Sequence, residues 1–81
     1  MSTVTVRLFA AIAEAVGRDE VSLPAATVGD VVDALVLAGG PDTPRVLGLC
    51  SVLVDGRRAD SVDVGVPAGA TVDVLPPFAG G

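Results

Sequence analysis

The chain has 81 residues, which is enough for one small domain with a thin apolar core. Its hydrophobic content of 51% excludes a disordered polypeptide, and its net charge of −5 disfavours binding to nucleic acid or to an anionic membrane surface. With no histidine, no lysine and a single cysteine, the sequence predicts neither a metal site nor an active site of its own.

The first part of the chain predicts a strand, a short helix and a second strand. Alternation in TVTVRLF places Val4, Val6 and Leu8 on one face of a strand, and Arg7 and Phe9 on the other. The segment AAIAEAV has helical spacing and is followed by a glycine that can end the helix. EVSLP then predicts a short strand that stops at its proline.

The segment TVGDVVDALVLA predicts the main helix. Thr27 stands at the N-cap position and Asp30 follows three residues later, as in a shortened capping box. The apolar stripe that would face the core comprises Val28, Val31, Val32, Leu35 and Val36. Two glycines and a proline end the helix.

A helical turn after Asp42 and a strand over CSVLV come next. Because CSVLV is apolar at nearly every position, it predicts a strand covered on both faces, with Cys50 as a buried structural residue in step with Val52 and Val54. Asp55 and the glycine after it predict a two-residue hairpin turn.

The return strand of this hairpin begins with Arg57 and Arg58, whose side chains we expect in solvent. Residues 60–70 form a connection that the turn PAGA closes, and TVDVL is the last strand, with Val72 and Val74 inward. The order β–α–β–α–β–β–β predicts an α+β domain in two layers, a mixed sheet covered by one main helix, over residues 1–75.

Residues 76–81 predict an extended C-terminal tail. Pro76 and Pro77 favour a stiff exit from the sheet, and six extended residues reach at most about 20 Å. Gly80 and Gly81 have no side chains, so they can enter a passage too narrow for a Cβ atom. The carboxylate of Gly81 could attack the α-phosphate of ATP held by another protein.

Strand alternation also predicts a surface patch where the tail leaves the sheet. Phe9 lies opposite the inward face of the first strand, and Leu75 lies opposite the inward face of the last. If the two strands are neighbours, these side chains form an exposed apolar patch with Arg7 and Asp73 beside it, a feature that often marks a partner site.

Four segments resemble the small, sulfur-carrying subunit of molybdopterin synthase, in the ubiquitin-like sulfur-carrier family that also contains the thiamine sulfur carrier. They are VRLFAAIAEAVG, TVGDVVDAL, VLVDG and GATVDVLPPFAGG, and the resemblance spans essentially the whole chain. It implies a ubiquitin-like β-grasp fold in which the last strand lies beside the first.

The resemblance also implies a function. A ubiquitin-activating-type enzyme would adenylate Gly81 with ATP, a sulfur donor enzyme would convert it to a thiocarboxylate, and the sulfur would pass to a cyclic pterin precursor to give molybdopterin. The active site would lie in the large synthase subunit of a heterotetramer, with Gly80 in the partner's channel. Pro76, Pro77, Phe78 and Ala79 would form the inserted stalk, and the chain would hold no cofactor or metal itself.

The same residues are compatible with two alternative functions. The chain could carry sulfur for another pathway, such as thiamine thiazole or cysteine, or it could be a non-covalent ubiquitin-like binding module that uses the patch of Phe9, Leu75 and Arg7. One cysteine cannot form an internal disulfide and no apolar run reaches the length of a membrane span, so we expect a cytoplasmic protein without membrane or nucleic-acid partners.

Overall fold

Five strands and three helices follow one another along residues 3–77, the part of the chain that the computed structural model describes. They are β1 (Thr3–Leu8), α1 (Ala10–Val16), β2 (Glu20–Pro24), α2 (Val28–Ala38), α3 (Thr43–Leu47), β3 (Ser51–Val54), β4 (Arg57–Arg58) and β5 (Thr71–Leu75). The predicted helical turn after Asp42 is α3.

The strands form one mixed sheet in the order β2-β1-β5-β3-β4. β5 lies at its centre, parallel to β1 and antiparallel to β3, while β2 and β4 form the two edges. The predicted β-grasp arrangement, in which the last strand lies beside the first, is confirmed. Because β1 and β5 are parallel, their ends lie together: Leu8, the last residue of β1, pairs with Val74, the last but one of β5.

The helix α2 begins where its capping residues predict. The Thr27 hydroxyl accepts from the Asp30 amide at 3.2 Å, and the Asp30 carboxylate accepts from the Thr27 amide at 3.2 Å. These two bonds satisfy backbone donors that the first turn of a helix leaves without partners. The prediction that Val36 faces the core is wrong. Val36 is 38% exposed, because the face of α2 that packs against the sheet is narrower than the predicted stripe.

The core lies between the helices and the inner face of the sheet, which we define as the face that the helices cover. Strand alternation places the inward side chains there, and α1 and α2 add Ile12, Val31 and Leu35. The inward strand residues are Val4, Val6, Leu8, Val54, Val72 and Val74, each at most 8% exposed. Aliphatic side chains thus fill the core of the described region.

The hairpin between β3 and β4 has the predicted two-residue turn. Asp55 and Gly56 have positive φ angles of 48° and 83°, as a type I′ turn requires, and Val54 pairs with Arg57 across it. The Asp55 carboxylate also accepts from the Thr71 amide at 2.9 Å. The turn is therefore fastened to β5, and β4 is a short edge strand whose two arginines are exposed, as expected.

β3 differs from its prediction in two respects. It begins at Ser51, because the chain still turns after α3, so Cys50 lies before the strand and is half-buried. The Cys50 thiol donates to the Val46 carbonyl at 3.2 Å, and burial raises the pKa of this thiol. The helices cover only the inner face of β3, where Val54 is buried, whereas Leu53 is half-buried. The predictions of a doubly covered strand and of Cys50 within it are wrong.

Candidate functional site

The predicted tail begins at the centre of the sheet. β5 has a paired strand on each side, and Val72 and Val74 are buried beneath it. Leu75 still pairs with β3, Pro76 is buried, and Pro77 is exposed. Since a proline has no amide proton to continue the ladder, pairing ends at Leu75. The chain is therefore fixed up to Pro76 before it leaves the sheet.

Four of the predicted site residues lie outside the described residues: Phe78, Ala79, Gly80 and Gly81. Their roles in a partner's channel and in sulfur transfer stay predictions. What the structure provides is the position from which they depart. That position is the end of β5, next to the end of β1.

A row of side chains crosses the outer face of the sheet, the face opposite the helices, close to this departure point. The strand registers pair each member with the next, from one edge of the sheet to the other. In order across the sheet the row is Glu20, Arg7, Asp73, Leu53 and Arg58. Acidic and basic groups alternate over the first three residues of the row. Its two ends, Glu20 and Arg58, are exposed charged residues at the edges of the sheet.

Arg7 and Asp73 form a two-pronged ion pair at the centre of the row. The guanidinium Nε donates to Asp73 Oδ1 at 2.6 Å, and a second nitrogen donates to Oδ2 at 2.8 Å. The hydrogen bond to Asp73 raises the pKa of Arg7 above its usual value, and the Glu20 charge adds a smaller contribution. Because the two charges satisfy each other, the middle of the outer face is close to neutral.

Three apolar side chains, Phe9, Leu53 and Leu75, lie on the outer face toward the end at which the chain leaves the sheet, and we refer to them as the exit patch. Phe9 is 38% exposed and has an extended backbone, so it continues the alternation of β1 and lies on the outer face. Leu75 and Leu53 are half-buried on the same face. Exposed apolar side chains beside charged groups are typical of partner-binding surfaces.

The structure therefore brings together Phe9, Leu75 and Arg7, which strand alternation had predicted as one surface. It adds Leu53, which sequence reasoning missed. In CSVLV, apolar residues occupy both faces, so no alternation shows which of them points outward. The hairpin register does carry this signal, since Leu53 lies opposite Arg58.

Two further features of residues 3–77 concern metal binding and insertion into a membrane. Cysteine and carboxylate side chains form no group of three or more that could bind a metal ion there. Among the helices of the same residues, none has the length and apolar content needed to span a lipid bilayer.

Known proteins provide an independent comparison. The sequence profile of the ThiS family matches residues 6–81. A search of curated proteins finds no significant match.

Several solved structures share this fold. Small archaeal modifier protein 1 (SAMP1) from Haloferax volcanii is 33% identical, with a TM-score of 0.81 over 99% of this chain and 100% of that chain. A putative molybdopterin converting factor, subunit 1, from Pyrococcus furiosus is 25% identical, with a TM-score of 0.82 over 96% and 100%.

A third structure is a complex. It contains subunits 1 and 2 of the molybdopterin-converting factor from Helicobacter pylori, and its matching chain is 22% identical, with a TM-score of 0.74 over 98% of this chain and 99% of that one. At this identity the likeness shows the fold alone.

Proposed function

The chain belongs to the ThiS family of ubiquitin-like sulfur carriers, and we propose that it is the sulfur-carrying small subunit of a molybdopterin synthase. The observation that carries the proposal is the departure of the tail. A central strand with partners on both sides ends at Leu75, a buried proline follows, and the last five residues end in Gly-Gly. This geometry suits a body that holds a reactive end at a fixed distance.

The chemistry takes place at the terminal carboxyl group of Gly81. A carboxylate oxygen attacks the α-phosphate of ATP in an adenylating partner, and pyrophosphate leaves with the electron pair of the broken P–O bond. A sulfide equivalent from a sulfur donor enzyme then attacks the acyl carbon, and the C–O bond to AMP breaks. The thiocarboxylate that remains is the cargo, so ATP belongs to the partner and the chain needs no cofactor.

The folded body contributes position and recognition. The partner must hold the tail in an extended form, and the two prolines reduce the conformational entropy lost when it does so. The exit patch provides apolar area for the partner to cover. The Arg7–Asp73 pair lets the partner cover the middle of the outer face without leaving an unpaired charge there.

We assign the pathway from the likeness to the Pyrococcus furiosus protein and from the tail segment. In this pathway the large synthase subunit would receive the loaded tail, in a heterotetramer with two copies of each chain. The product would be molybdopterin, and the reaction would take place in the cytoplasm.

A second candidate rests on the 33% identity to SAMP1, whose full name describes a modifier protein. The same acyl-adenylate can be attacked by an amine, which would join Gly81 to a lysine of another protein through an amide bond. The two candidates share the activation step and differ in the nucleophile that follows it.

Mass spectrometry of the intact chain tests the activation step. After incubation with ATP, the adenylating enzyme of the same cell and a sulfide source, we expect a gain of about 16 Da, because sulfur replaces one oxygen. A chain that lacks Gly81 is the matched control: it should fold normally and gain nothing. Equal loading of the shortened chain would rule out the carrier role.

A second reaction separates the pathways. When the loaded chain is mixed with the large synthase subunit and the cyclic pterin precursor, the proposal predicts loss of the 16 Da and formation of a dithiolene pterin. Transfer to a thiazole precursor or to a cysteine precursor would instead identify one of the other sulfur pathways. Appearance of the chain on lysines of cellular proteins would support the modifier.

A further inference from the structure

The β2 edge of the sheet has backbone groups that no other strand pairs with. β2 is the outermost strand, and the Leu8 amide donates to the Asp19 carbonyl at 2.9 Å. In the same antiparallel register, the odd-numbered residues of β2 direct their backbone groups toward β1. Glu20 and Ser22 therefore direct theirs outward, and within residues 3–77 neither has a backbone partner on that side.

A groove runs along this edge between β2 and α2. It has a volume of about 560 Å³. Val21 and Leu23 of β2 form one side, and Ala34, Leu35 and Ala38 of α2 form the other. Leu35 is buried at the base, while the two alanines leave room beside it. The groove can therefore take apolar side chains from a strand laid along the edge.

A single cation stands at one end of the groove. Arg18 lines it, and no carboxylate of the described residues forms an ion pair with Arg18. Glu20 also lines the groove, but it forms no ion pair with Arg18, and its charge acts on Arg7 across the strand pair. A carboxylate on the occupant would thus find an available guanidinium at this end.

A second copy of the chain does not fit this groove. Paired edge to edge, the copy would still turn its own Val21 and Leu23 toward its own α2, so these side chains could not fill the groove of the first copy. Each copy also carries a net charge of −5, which opposes their association. The occupant must be a strand without a helix of its own on that side.

We propose that the β2–α2 groove binds an extended peptide segment of a partner protein, with alternating apolar side chains and a carboxylate beside Arg18. The segment adds a strand to the sheet through the outward backbone groups of Glu20 and Ser22, a known mode of peptide recognition. The groove lies at the edge of the sheet and the tail leaves from its centre, so this binding does not depend on the chemistry of Gly81.

Amide hydrogen exchange of the full chain, measured by NMR, tests the proposal with two synthetic peptides of about eight residues each. In both peptides valine alternates with threonine; one has an aspartate at its N-terminal end and the other at its C-terminal end, which covers both strand directions. We expect one of them to slow exchange at Glu20 and Ser22 about tenfold, because only these amides gain a partner. Exchange at Val21 and Leu23 should stay unchanged.

Matched variants locate the binding site. Ala34→Glu places a charge in the groove and should weaken binding about tenfold or more, whereas Leu37→Glu, on the same helix but 88% exposed and outside the groove, should change it less than about twofold. Arg18→Gln, a surface change that leaves the core intact, should weaken binding about threefold and remove the part of binding that high salt weakens.

Three results would overturn the proposal. The first is unchanged exchange at Glu20 and Ser22 with both peptides at millimolar concentration. The second is slowed exchange confined to the outer face near Asp73. The third is a dimer in solution, seen as a doubled molecular mass, in which amide exchange at Ser22 is already slow without peptide. This result would identify a second copy as the occupant. A chain that lacks Gly81 should bind the peptide normally, so failure of sulfur loading and failure of the groove can be told apart.

Discussion

The two faces of the central sheet are built from alternate residues of the same strands, yet they meet different surroundings. On the inner face, Val72 and Val74 of β5 are completely buried against the helices. On the outer face, Asp73 between them forms an ion pair with Arg7, and Leu75 after them belongs to the exit patch. One step along the strand separates a core residue from a surface residue.

This difference separates stability from recognition at the level of single residues. Inner-face side chains gain free energy from burial, whereas outer-face side chains stay accessible to a partner. Because a shift of one residue in register would exchange the two faces, the paired strands must hold the register of β5 firmly. The hydrogen bond between Asp55 and the Thr71 amide does so at the start of β5.

The largest expected effect is a difference in stability between two leucine-to-alanine substitutions on opposite faces of the sheet. Leu8→Ala removes a fully buried side chain and should lower the free energy of unfolding by about 2–5 kcal/mol, because it leaves a cavity. Leu53→Ala, on the half-buried outer face, should lower it by about 1 kcal/mol or less. Urea denaturation measures both, and equal losses would contradict the division between the faces.

A second change should affect the partner reaction rather than the fold. Leu53→Gln puts a neutral polar group into the exit patch and should lower kcat/KM for adenylation about tenfold, since the apolar area that the partner covers is reduced. Thr3→Gln lies on the same face at the far end of β1 and serves as control. Circular dichroism should be unchanged in both, and the urea midpoint of Leu53→Gln should fall no further than that of Leu53→Ala. A normal rate of adenylation for Leu53→Gln would show that the adenylating enzyme does not contact the exit patch.

The smallest effect concerns the Arg7–Asp73 pair. A double-mutant cycle with Arg7→Gln and Asp73→Asn should show a small coupling in the urea midpoint that shrinks in high salt, because the guanidinium is well exposed.

This coupling also has a predicted pH dependence. A raised pKa of Arg7 stabilises the fold at pH values below the ordinary arginine pKa, and the contribution is lost only as the pH rises through the folded-state value. The coupling should therefore be constant across neutral pH. A coupling that vanished at neutral pH would contradict the pairing.

Local sequence signals predicted much of the fold. The start of α2 follows from Thr27 and Asp30, whose side chains can satisfy the first helical amides without help from distant residues. The hairpin follows from Asp55 and Gly56 because their positive φ angles are a local property. The inward residues of β1 and β5 follow from alternation, which both strands display.

The features that the sequence does not predict depend on contacts between residues far apart in the chain. The exposure of Val36 is set by how much of α2 the sheet can cover. The place of Cys50 before β3 is set by the turns that end α3. Leu53 and the β2–α2 groove emerge only when the order of the strands is known, since no local pattern in CSVLV or EVSLP reveals a free edge or an open face.

The central claim is that the terminal carboxyl group of Gly81 is the reactive group, and that the folded body presents it. The most direct test compares two versions of the chain that differ only there, one with a free carboxylate and one with a C-terminal amide. After incubation with ATP, the adenylating enzyme and sulfide, the free acid should gain about 16 Da and the amide nothing. A gain on the amidated chain, or none on the free acid, would contradict the account.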